Sequence, residues 1–149
     1  MKIKNQKSEF DYKIIDIRRV ARVVAGGRRF SFRVAVVAGN RNGEVGVGLG
    51  KGADTSIAIE KAFRNAKKNA IKLKITEDFS VPYKVNAKYA SAIVFLQPAP
   101  KGRGLIAGSS VRTVLELGGV KNAVSKILSR SKNKLNNARA TIKALKMLR

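Results

Sequence analysis

Two short segments place arginines beside glycines in a pattern suited to phosphate chemistry. The first holds Arg18, Arg19 and Arg22, followed by Gly26-Gly27-Arg28-Arg29. The second is Lys101-Gly102-Arg103-Gly104. A guanidinium is a planar fork that donates two parallel hydrogen bonds to one phosphate. Glycine between such residues lets the backbone come close to a ligand. In the first segment, paired glycines between arginine-bearing strands make a hairpin tip that can lie along a nucleic-acid backbone. The competing reading is an exposed hairpin whose charges only aid solubility. The second segment precedes an expected helix N-terminus, where unsatisfied N–H groups attract anions. A phosphate or the surface of another protein fits it equally well.

A third candidate is Lys51, which ends the run Gly43-Glu-Val-Gly-Val-Gly-Leu-Gly-Lys-Gly52. Val45, Val47 and Leu49 alternate with Gly46, Gly48 and Gly50, which reads as a strand with one apolar face and one bare face. A bare strand face marks close approach of a ligand or another backbone. Packing beneath a helix and contact with RNA both remain open. Nucleotide binding does not fit: the phosphate-loop pattern fails at Val45 and Gly52, and the dinucleotide fingerprint fails at Lys51.

Other chemistries are excluded by composition. The chain has no cysteine and no histidine, so disulfides, thiol nucleophiles and imidazole bases are absent. Eight of its nine acids precede residue 80, leaving only Glu116 after it. A two-carboxylate site in the second half is impossible, and neither enzymatic activity, a metal, a cofactor nor a small-molecule substrate is expected. Lys and Arg number 32, the formal charge is +23 and the pI is near 11.1. A partner rich in phosphate is the natural complement. Hydrophobic residues make up 44% of the chain, enough for a real core. No apolar run approaches the ~20 residues of a spanning helix, and no signal-peptide core is evident, so a soluble cytoplasmic protein without membrane association is expected. Tryptophan is absent and aromatic interleaving is sparse, which favours recognition of folded RNA by shape and phosphate over base stacking.

The elements that must position these residues follow from periodicity. A basic arm is expected over 1–10. Strands are expected over about Tyr12–Val24, over Arg29–Val36 with Phe30, Phe32, Val34 and Val36 inward, and over the glycine run after an Asn42-Gly43 turn. Asp54 is expected to cap a helix that buries Ile59, Ala62, Phe63, Ala66, Ala70 and Leu73. Three antiparallel strands and a helix make a small α+β domain over 11–74. Residues 75–82 read as a linker, and 83–149 as a second domain. There, strands are expected near Lys84–Ala90, Ala92–Leu96 and Ala123–Leu128. Ser109 or Ser110 is expected to cap a short helix that stops at Gly118-Gly119, and a last helix buries Leu135, Ala138, Ile142 and Leu145.

Several ordered motifs carry a resemblance over about residue 10 to the end. They are Arg19-Val20, Gly26-Gly-Arg-Arg-Phe-Ser-Phe32, Gly43–Lys51, Phe95-Leu-Gln-Pro-Ala99, Gly102-Arg-Gly-Leu-Ile-Ala-Gly108, Val111-Arg-Thr-Val-Leu-Glu-Leu117 and Ala138-Arg-Ala-Thr141. The chain resembles the bacterial S-five family, the fifth protein of the small ribosomal subunit. The resemblance implies an N-terminal domain like the double-stranded-RNA-binding fold and a C-terminal α/β domain with a βαβ-type crossover. It also implies contact with small-subunit ribosomal RNA, a part in subunit assembly, and neighbours that include small-subunit proteins four and eight. The loop matching Val20–Arg29 is implied to reach RNA and to affect spectinomycin sensitivity. The segment with Lys101, Arg103, Gly104 and Arg112 is implied to meet protein four and to influence decoding accuracy. This chain departs from the family pattern at Ala25, where a basic residue is usual, and at Asn133-Lys134, where Asn-Pro is usual. Two rival classes are a free-standing RNA chaperone built on the first half and a phosphate-handling enzyme. The second lacks both a nucleotide loop and a metal-ligating pair.

Overall fold

The computed structural model describes residues 10–148; the expected arm, apart from Phe10, lies outside them. The chain forms strands β1 (Asp11–Val24), β2 (Gly27–Gly39) and β3 (Glu44–Gly52), helix α1 (Thr55–Lys68) and strand β4 (Ile71–Lys72). It continues through β5 (Val85–Tyr89), β6 (Ala92–Pro98), β7 (Leu105–Ile106), α2 (Ser109–Gly118), β8 (Ala123–Ile127) and α3 (Lys134–Met147). The first sheet has the order β1-β2-β3-β4 and is antiparallel throughout. The second has the order β5-β6-β8-β7, with β7 and β8 parallel and α2 crossing between them. The fold is therefore α+β, a sheet with one helix followed by an α/β unit with the expected βαβ crossover.

The glycine run resolves in favour of helix packing. Gly46, Gly48 and Gly50 lie directly under α1. A Cβ on any of them would collide with the backbone of Ala66, Ala62 or Ala58, respectively. Four helical residues advance ~6 Å and two strand residues ~6.6 Å. Alanines at every fourth position thus keep step with glycines at every second. Ala58, Ala62 and Ala66 are fully buried, whereas the expected stripe residues Ile59 and Phe63 flank them half-buried. The helix also stops earlier than its apolar pattern suggests. It ends at Lys68, and the next apolar residues turn back as β4 against Glu44 and Val45. Asp54 caps it as expected, its Oδ1 accepting from the Thr55 N–H at 2.7 Å.

The opposite face of the same sheet is covered by the second half of the chain. Ala35, Val37, Val45, Val47 and Leu49 join α2, α3 and the inner residues of β5, β6 and β8 in one continuous core. Residues 75–82 pack into this body: Ser80 and Val81 are buried, and the Phe79 carbonyl accepts from the N–H groups of Lys121 and Asn122. Neither serine caps α2. Its N-cap is Gly108, which has no side chain to accept a bond, and Ser109 and Ser110 lie inside the helix.

A backbone clasp fastens the two halves. In the β2–β3 turn, the Arg41 and Gly43 N–H groups donate to the carbonyls of Leu117 and Gly118 at 2.9 and 3.0 Å. Gly119 ends α2 at φ 92°, and a Cβ there would strike the Arg41 carbonyl. Gly119→Ala combines left-handed strain of ~1–2 kcal/mol with this collision. It is expected to lower stability by about 2–3 kcal/mol in urea denaturation, and a loss under ~1 kcal/mol would show that the clasp is soft.

Candidate nucleic-acid interface

β1 and β2 run on past the N-terminal end of α1 as a two-stranded ribbon, and their register sorts its cations. Arg18 lies opposite Arg33, and Arg33 opposite Lys51, making one row across three strands. Arg22 lies opposite Arg29, two residue pairs back from the Val24–Gly27 pair that closes the tip. Residues paired across strands share a face, and alternate pairs along a strand return to it. Arg18, Arg22, Arg29, Arg33 and Lys51 therefore occupy one face, and all five are exposed. Like charges directly opposite one another destabilise a sheet, and a row of three does so twice. A polyanion laid across the row offsets that repulsion. Asp16 is the one acid paired with this group among the described residues, 3.0 Å from Arg18 Nε.

Arg19 and Arg28 belong to the opposite face. The Arg19 guanidinium stacks on Phe30, 3.8 Å from the ring centroid. Phe30, expected in the core, is 45% exposed, because α1 covers Val34 and Val36 but its N-terminal end stops short of it. Ala25 and Gly26 form the tip between the closing pair Val24 and Gly27, with Gly26 at φ 88°. Val23 beside them is 80% exposed, an apolar side chain presented to whatever meets the hairpin. The expected first cluster is thus brought together on one ribbon but divided between two faces. Arg33 was missed: its alternation marked it as outward, and only the register places it between Arg18 and Lys51.

The second cluster sits elsewhere. Lys101 and Arg103 are exposed on a turn held by the Arg103 N–H on the Pro100 carbonyl, and by the Gly104 N–H on Asn122 Oδ1 at 3.1 Å. The turn leads into β7 rather than directly into a helix N-terminus, because Leu105 and Ile106 pair with β8. Arg112, one turn into α2, donates from Nε to the Ala107 carbonyl at 3.0 Å. It lines a hollow of about 420 Å³ with Arg41, Leu105, Glu116, Gly119, Val120 and Lys121. Lys101 and Arg103 do not line it.

Among the described residues no group of acids could hold a metal ion, and no helix is long and apolar enough to cross a membrane. Residues 10–74 match the family model described as ribosomal protein S5, N-terminal domain, and residues 87–149 match that for the C-terminal domain. A small ribosomal subunit protein uS5c of Gracilaria tenuistipitata is 45% identical over all of this chain and 86% of its own length. One from Cyanidioschyzon merolae is 49% identical over 95% of this chain and 92% of its own. A small ribosomal subunit protein uS5 of Synechococcus elongatus is 46% identical over 97% and 79%. Two consecutive family domains in order, on a fold whose first sheet carries five cations on one face, leave one reading: the chain belongs to the ribosomal protein S5 family, structural and non-enzymatic components of the small ribosomal subunit.

Proposed function

We propose that this protein binds ribosomal RNA through the cationic face of the β1–β2 ribbon, and by doing so supports assembly of the small subunit. The observation that carries the reading is the cross-strand row Arg18–Arg33–Lys51, extended toward the tip by Arg22 and Arg29. Gly26 and Gly27 let the tip follow a phosphate backbone, and Arg19 and Arg28 reach RNA on the ribbon's other side. Lys101, Arg103, Gly104 and Arg112 form the surface toward neighbouring protein four, through which decoding accuracy is influenced. Protein eight is the second protein neighbour. Residues 11–74 form the RNA-binding half, 83–149 the partner-binding half, and 75–82 the join between them. The shared core weighs against a free-standing chaperone made of the first half alone, since Ile15, Ala35, Val37 and Val45 would lose their cover.

The test is sedimentation of the tagged protein from lysate before and after a high-salt wash. Near-stoichiometric migration with the small subunit through the wash is expected. Release at moderate salt would mark peripheral electrostatic attachment and favour the chaperone reading, because screening removes surface charge contacts first.

A further inference from the structure

A groove runs along the seam between the two halves, away from the ribbon tip. It encloses about 650 Å³ and has an apolar floor that includes Val47, Ile71 and Ile142. One wall is the end of α1, with Lys68; the other is the outer side of α3, with Arg139, Lys143 and Lys146. No acid lines it. Two of the cations are held in place. Arg139 Nη1 donates to Tyr89 Oη at 3.1 Å, and Lys143 Nζ donates to the Lys88 carbonyl at 3.0 Å.

We propose that this groove is a second binding site for an RNA phosphodiester backbone, distinct from the ribbon. It rests on the reading of the chain as an RNA-binding protein. Folding brings cations from two separate parts of the chain to face one another, and no described residue of the groove neutralises them. A phosphate chain supplies that neutralisation, and Tyr89, Ile71 and Ile142 offer apolar surface to the sugars between phosphates. Ordinary solvated lysines need no such convergence, and Arg139 and Lys143 tied to β5 lose less freedom on binding than free side chains do. An acidic protein segment is the other occupant of matching charge. It is disfavoured because the chain belongs to a family of ribosomal proteins, whose particle presents phosphodiester backbone on all sides.

The test compares the full-length protein with the variant Lys68→Gln, Lys143→Gln, Lys146→Gln, using transcribed small-subunit ribosomal RNA as the probe. Each phosphate contact contributes roughly 0.7–0.9 to the slope of log affinity against log salt. The triple variant is expected to lose about two units of slope while keeping its thermal midpoint. An unchanged slope, with the ribbon variant Arg22→Glu, Arg29→Glu still losing its own, would overturn the groove and leave RNA binding intact. Unchanged slopes in both sets would overturn the RNA-binding reading itself. Should the variant misfold, amine acetylation of the parent protein decides the matter. Protection of Lys143 and Lys146 by the RNA is expected, and equal labelling with and without it overturns the site. Protection only by an acidic protein of the subunit, and not by RNA, also overturns it.

Discussion

Gly48→Val leaves the protein unfolded, and Gly48→Ala destabilises it by more than about 3 kcal/mol. A Cβ at Gly48 would enter the space of the Ala62 carbonyl and the Ala66 N–H together. Both are backbone groups of α1, so no side chain can swing aside and the helix itself must lift. Overpacking in a core that can adjust costs about 1–3 kcal/mol; here the adjustment separates Ala58, Ala62 and Ala66 from the sheet along the whole contact. Total stabilities are only about 5–15 kcal/mol, so the valine exceeds what the fold can absorb. The measurement is the urea midpoint of Gly48→Ala against Gly102→Ala. Gly102 lies at φ 88° in open space, so its alanine suffers backbone strain alone, about 1–2 kcal/mol. Equal losses at the two sites would mean that the helix rides loosely on the strand.

Arg22→Glu with Arg29→Glu abolishes stable incorporation into the small subunit while the protein remains folded. These two arginines lie directly opposite each other on the cationic face. Reversing both removes two charge-assisted contacts, worth about 1.5–3 kcal/mol each, and adds two repulsions. Affinity for ribosomal RNA is expected to fall at least about 100-fold. The slope of log affinity against log salt should fall by roughly 1.4–1.8. Arg19→Glu with Arg28→Glu, a pair on the other face, tests whether the effect depends on the face or only on charge. It is expected to weaken binding by a smaller factor, and its loss of the Arg19–Phe30 stack also lowers stability slightly. Equal losses from the two pairs would show that charge alone matters, and normal incorporation of the same-face variant would sink the ribbon as the RNA contact.

Strand alternation, the Asn42-Gly43 turn and the Asp54 cap made most of the first sheet and the start of its helix legible. These features are local: a turn, a cap and a period of two are written within a few residues. The helix end was misjudged because Ala70 and Leu73 continue the apolar period beyond Lys68. Only pairing with Glu44 and Val45 turns that stretch into β4. The strand Leu105–Ile106 was hidden for the same reason, since two residues carry no pattern until β8 lies beside them. Phe30 misled in the other direction: its alternation is that of a core residue, but no helix reaches it.

The sequence by itself pointed to a phosphate-rich partner and left no thiol or imidazole for catalysis. A charge of +23 with neither histidine nor cysteine is a property of composition, independent of folding. It also placed the two glycine-spaced basic loops and the family motifs in order. The tertiary structure alone decided which cations act together. Register set Arg33 between Arg18 and Lys51 and parted Arg19 and Arg28 from them, because a one-residue shift moves a side chain to the other face. It alone assigned the glycine strand to α1, where matched repeats bring two backbones into contact. And it alone brought Lys68 to face Arg139, Lys143 and Lys146 across the seam, since long-range packing is not written in any local spacing.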